Sequence, residues 1–283
     1  MFLELTRLAA IAIISSALAA CSTVSSITGA SEDEELQTVA SPANIASLSD
    51  VVTRNPNDPQ TYNMRGSVLG RAGRYQEAIA DFDRAIQLDP KYAQAYANRA
   101  LAYREMKRLD LAYADFNKAI QIDPSYSAAY VGRGMIQRAQ GHVQEALGDF
   151  NKAVQLKPDN AQAYHNRGLI YQQQGQHKFA IDEFTTAISL SPSASEPYLG
   201  RGISYLALGD FKSAADDFTE AGEKDPKNID AWTQRGIAYE RLGDKERAAA
   251  SYARALNVSA NYEPARAGFQ RVGGDYKKGY SIN

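Results

Sequence analysis

Between residues 59 and 262 the apolar and small residues return on a fixed spacing of 34. Prolines mark it most plainly, at 56, 90, 124, 158, 192 and 226. Six blocks follow without insertion or deletion: 59–92, 93–126, 127–160, 161–194, 195–228 and 229–262. Within a block, place 4 carries a ring: Tyr62, Tyr96, Tyr130, Tyr164, Tyr198 and Trp232. Place 8 is Gly66, Ala100, Gly134, Gly168, Gly202 and Gly236. Places 20 and 27 are always Ala, and place 24 is Phe82, Phe116, Phe150, Phe184, Phe218 and Tyr252. Places 4, 8 and 11 fall on one helical face and 20, 24 and 27 on another, so each block predicts two amphipathic helices. Small residues at 8, 20 and 27 let the two backbones approach closely, and the rings fill the space beside them. Glycine at place 15 suits the turn after the first helix and proline at place 32 ends the second. Lys107 and Ala260 are the departures. A single block cannot bury its own face, so stability must come from stacking.

These residues resemble the tetratricopeptide repeat, and the resemblance covers 204 of 283 residues. It implies an all-α fold, a right-handed superhelix of helix–turn–helix repeats (an α-solenoid), and protein binding on the inner face. The ends read as caps. Residues 42–58 form a half-repeat, with a helix over 42–54 started by Ser41-Pro42, and 263–272 form a terminal helix ended by Gly273-Gly274, before a tail to 283.

Residues 1–20 lie outside this grammar. Leu8 to Ala20 is an uncharged, mostly apolar run after Arg7. At about 20 Å it is too short to cross a hydrocarbon core and reads as a secretory signal. It ends in Leu18-Ala19-Ala20-Cys21, which resembles the bacterial lipobox. That resemblance implies a lipid on Cys21, and Ser22 after it implies the outer membrane, facing the periplasm. Residues 21–41, rich in Ser and Thr with an acidic cluster at Glu32, Asp33, Glu34 and Glu35, read as a flexible tether.

Composition narrows the chemistry. A net charge of −2 and a charged fraction of 23 % argue against nucleic-acid binding by a broad basic surface. One Cys excludes internal disulfides. His142, His165 and His177 match no metal-ligand spacing, and the chain has no phosphate loop and no nucleophile motif. We therefore expect no enzyme activity, no cofactor and no metal site. The 17 Tyr are mostly accounted for by repeat places.

Two columns of residues stand out. Place 7 is always Arg (Arg65, Arg99, Arg133, Arg167, Arg201, Arg235), where Leu is commonest in the resembled family. Place 23 is acidic in five blocks (Asp81, Asp115, Asp149, Glu183, Asp217) and Ser251 in the sixth. The two recur together in five blocks, which predicts a half-buried ion-pair ladder, since a desolvated guanidinium needs a partner. Whether each Arg pairs within its block or with the one before is open. The resemblance also places Asn98, Leu101, Met135, His165, Asn166, Leu169, Ile203, Gln234 and Ile237 on the inner face, as a groove for peptide segments. Place 5 holds no Lys, so the clamp that grips cytosolic chaperone tails is missing. The expected function is a periplasm-facing lipoprotein adaptor of envelope proteins, similar in organisation to NlpI-type and pilotin-type lipoproteins. An assembly factor, pilotin-like or for outer-membrane protein insertion, is the alternative.

Overall fold

The structure, a computed structural model, describes residues 40–274. The signal segment 1–20, Cys21, most of the tether and the tail from 275 lie outside the described residues. The described residues divide into two compact units, one up to Leu88 and one from Asp89 onward.

The first unit holds α1 (Pro42–Arg54), α2 (Pro59–Arg71) and α3 (Tyr75–Leu88). Ser41 caps α1 by accepting from the Asn44 amide, and Asp58 caps α2 by accepting from Gln60. Both helices open on a proline, which gives up no hydrogen bond at a first helical position.

The second unit holds α4 (Ala93–Glu105), α5 (Leu109–Ile122), α6 (Ser127–Ala139), α7 (Val143–Leu156), α8 (Ala161–Gln173), α9 (His177–Leu190), α10 (Ser195–Ala207), α11 (Phe211–Lys224), α12 (Ile229–Arg241), α13 (Lys245–Val258) and α14 (Glu263–Arg271). Each second helix packs on the first helix of its own block and of the next. The first helices α4, α6, α8, α10 and α12 also touch in sequence. They form one layer and the second helices another.

The alanines at places 20 and 27 have no exposed surface at all, and the rings at place 24 lie between them. A Cβ at Gly134 or Gly168 would come within 2.8 Å of the Phe ring of its own block. Only a bare Cα leaves room for that ring. In the turns, the place-15 glycines have positive φ, as at Gly141 (φ 82), and Lys107 holds the same left-handed conformation at φ 60. The lysine therefore carries a strain that its neighbours avoid.

A second period runs beneath the first. Gly132, Gly200 and Gly268 recur at every second block, each against the place-24 ring of the preceding block: Phe116, Phe184 and Tyr252. Ser127 and Ser195 donate to Ala153 O and Ala221 O, and Asn160 and Asn228 donate to those two serines. The repeating unit in this part of the chain is thus two blocks.

Candidate binding face

The arginine column pairs within the block. Nε and Nη2 of Arg65, Arg99, Arg133, Arg167 and Arg201 donate to both carboxylate oxygens of Asp81, Asp115, Asp149, Glu183 and Asp217, at 2.6–2.8 Å. The acid side chains are only 7–15 % exposed. The preceding block contributes as well: Nη1 of Arg133 donates to Asn117, that of Arg167 to Asn151 and that of Arg201 to Thr185. Each of these arginines therefore joins two blocks. The carboxylate hydrogen bonds hold Arg65, Arg133 and Arg201 above the ordinary arginine range. Burial pushes Asp217 up despite its pairing with Arg201.

Place 4 completes the arrangement. The guanidinium groups of Arg99, Arg133, Arg167, Arg201 and Arg235 lie 5.2–5.8 Å from the ring centroids of Tyr96, Tyr130, Tyr164, Tyr198 and Trp232. The Tyr130 and Tyr198 hydroxyls and the Trp232 N–H donate to the proline carbonyl six residues earlier. Tyrosine is used here because one end of the ring needs a donor while its face takes a cation. The last block lacks the acid. Ser251 donates to Arg247 O instead, and Arg235 keeps a buried Nε without a hydrogen-bond partner.

The predicted groove residues fall into three groups. Leu101 is 41 % exposed and open on the first-helix face. Met135, Ile203 and Ile237 are half-buried and pack against the core, so place 9 is part scaffold. Asn98 and Gln234 are half-buried on the same helices. Asn166 borders the cleft around His165, but it is 2 % exposed and its Nδ2 already donates to Gln162 O.

Around His165 and Leu169 these residues line a cleft of about 390 Å³, with Met135 and Arg138 from α6 on one side and Ser191, Ala194, Glu196 and Pro197 on the other. His165 lies against the Phe184 ring at 5.6 Å, and its Nδ1 is buried without a partner. Burial, aided by the charge on Arg138, lowers its pKa to about 4. Arg138 has a buried Nε without a partner, and burial alone lowers its pKa. Sequence reading did not place Arg138 among the groove residues. The signal was that place 12 is not fixed along the chain (Gly70, Arg104, Arg138, Gln172, Leu206, Glu240), unlike scaffold places 20 and 27.

His165 gives a pH dependence whose sign is fixed. The unfolded imidazole titrates near 6.5 and the folded one near 4. Between these values only the unfolded chain takes up the proton. Stability is therefore lost as pH falls from 6.5 to 4, by about 3 kcal/mol from this group. Urea titrations at pH 7 and pH 4.5 should show His165→Asn losing less stability on acidification than the native chain.

Comparison with known proteins places this geometry. Family matches described as tetratricopeptide repeat fall at residues 63–127, 199–265 and 161–193, and one described as TPR repeat at 134–175. Among solved structures, the Cut9–Hcn1 hetero-tetramer of APC/C aligns with a TM-score of 0.73 at 17 % identity, over 86 % of this chain and 46 % of that one. This chain thus spans less than half the length of that relative. PilF of Pseudomonas aeruginosa aligns at 0.68 and 18 % identity, over 77 % of this chain and 99 % of that one. YrrB, described as a TPR protein with an unusual peptide-binding site, aligns at 0.54 and 24 % identity, over 67 % and 97 %. At these identities the likeness is one of fold. No curated protein matches the chain. With tetratricopeptide matches running through its repeats and a solenoid of paired helices beneath them, the chain belongs to the tetratricopeptide repeat family.

Proposed function

We propose that this chain is a non-catalytic scaffold that binds segments of partner proteins across its first-helix face. In this reading a lipid on Cys21 holds it at the outer membrane, facing the periplasm, and its partners are envelope proteins. One observation carries the binding role. The scaffold places are nearly invariant from block to block, whereas Met135, His165, Glu196 and Pro197 at the cleft have no counterpart at their places in the other blocks, and His165 and Arg138 each leave a buried nitrogen unpartnered. Packing does not require such residues, and a recognition surface does. The anchor rests on the signal-like run and the four residues ending at Cys21. Several acyl chains on one cysteine would hold a protein that a single chain would release.

A photo-crosslinking amino acid placed at Leu101 or Leu169 in living cells tests the face. Discrete crosslinked partners are expected there, and none at exposed Phe179 on α9, which is 61 % exposed. Equal crosslinking at all three positions would remove the reading. In the same cells, palmitate should label the native chain and not Cys21→Ser. A Cys21→Ser protein that stays in the membrane after carbonate washing would overturn the anchor while leaving the binding face standing.

A further inference from the structure

Resting on the scaffold reading, we infer that the cleft at Arg138 receives an acidic side chain, Asp or Glu, from the middle of a bound peptide segment. Place 12 supplies the first reason. Its polar residues in other blocks of this unit have partners: Arg104 pairs with Glu105 at 2.9 Å, Gln172 donates to Gly200 O and Ser204, and Glu240 accepts from Arg271 and Tyr252. Arg138 has no ion-pair partner among the described residues, and its Nε is closed off from water with nothing to donate to. A guanidinium stays charged in any protein environment, so this one carries an uncompensated desolvation cost. A carboxylate entering the cleft would relieve it through charge-assisted hydrogen bonds.

The walls supply the second reason. Met135, Ala161, Leu169 and Pro197 are apolar and lower the local dielectric beside the cation, which strengthens an ion pair formed there. His165 is neutral near pH 7 and neither competes for the carboxylate nor repels Arg138. Glu196, the acid of the lining, is exposed and lies on the far wall, on the helix α10. The third reason concerns the occupant. Apolar place-9 residues continue past the cleft on both sides, Leu101 in one direction and Ile203 and Ile237 in the other. A segment that uses them must continue through the cleft, so the acid is a side chain rather than a chain end.

The test selects twelve-residue random peptides displayed on phage against the full-length chain. One library has its peptide C-termini fused to the coat protein, the other has them free. The fused library should enrich sequences with an Asp or Glu at a fixed distance from apolar residues. For a winning peptide made synthetically, Glu→Gln should weaken binding at least tenfold on the native chain and less than twofold on Arg138→Gln. Should Arg138→Gln fold poorly, Arg138→Lys keeps the charge but not the fork, and a clear reduction of the acid preference is expected there. Apolar motifs without an acid would overturn this inference and leave the scaffold reading intact. Enrichment only with free C-termini would replace the side chain by a chain end. No enrichment in either library would count against both readings.

Discussion

Asp149→Ala is expected to destabilise the protein by about 3–5 kcal/mol, the range for breaking a buried ion pair by removing one partner. The Asp149 side chain is 7 % exposed and takes two hydrogen bonds from Arg133. Without it Arg133 keeps Asn117 as an acceptor and the Tyr130 ring beneath it, but no counter-charge. Removing both charges tells a different story. Arg133→Leu with Asp149→Ala restores an apolar residue at place 7 and strands nothing, so the double variant should recover to within about 1–2 kcal/mol of native. Urea unfolding followed by circular dichroism measures both. A loss below about 1 kcal/mol for Asp149→Ala would mean that the ladder behaves as exposed pairs do. The last block offers the reverse experiment. Ser251→Asp supplies Arg235 with the acid that five other blocks possess, at a place where five aspartate or glutamate side chains already fit. It should raise stability by about 1–2 kcal/mol, the scale of a hydrogen bond to a charged group.

The ladder also shows what a repeat makes legible. Arg recurs at place 7 in every block and an acid at place 23 in five of the six, and that joint recurrence within one chain carried the pairing without any structure. The register was harder. Within-block and between-block pairing both fit the sequence, and the structure uses both, with the acid from within and an amide or hydroxyl at place 25 from the block before. The rings at place 4 were read as core, yet most are half-buried and serve as platforms for the arginines three residues on. Hydrophobic period locates a ring but does not reveal that its face meets a cation. The candidate face was legible as a surface and not as a site. Asn166 looked available because its place faces inward, but a helical side chain can turn to the carbonyl four residues back. Arg138 was not legible as a site residue, because whether a charge has a partner depends on neighbours brought in from other blocks.

The two-block period, unlike the 34-residue one, sets up a sharp contrast between glycines. Gly132→Ala should destabilise by about 3 kcal/mol, at the upper end of the usual cost of overpacking. A Cβ there would lie 2.2 Å from Phe116 Cζ and 2.3 Å from Cε1. That ring cannot yield: it is 1 % exposed and is enclosed by Ala97, Ala100, Ala112, Ala119 and Ala129. Its own block has Ala100 where the others have glycine, so the ring has less room on that side and lies against the bare Cα of the following block. Gly148→Ala is the matched control. It is also inside a helix, but a Cβ there meets nothing within 4 Å. Removing the backbone freedom of glycine should then stabilise the chain by about 0.5–1 kcal/mol. The same chemical change thus acts with opposite sign sixteen residues apart. Shortening the ring tests the cause. In Phe116→Leu the obstructing Cζ is gone, so Gly132→Ala added to it should cost at least about 1 kcal/mol less than it does in the native chain, a coupling that residues not in contact do not show. If Gly132→Ala proves as mild as Gly148→Ala, the second helices do not approach the following block as closely as this packing requires.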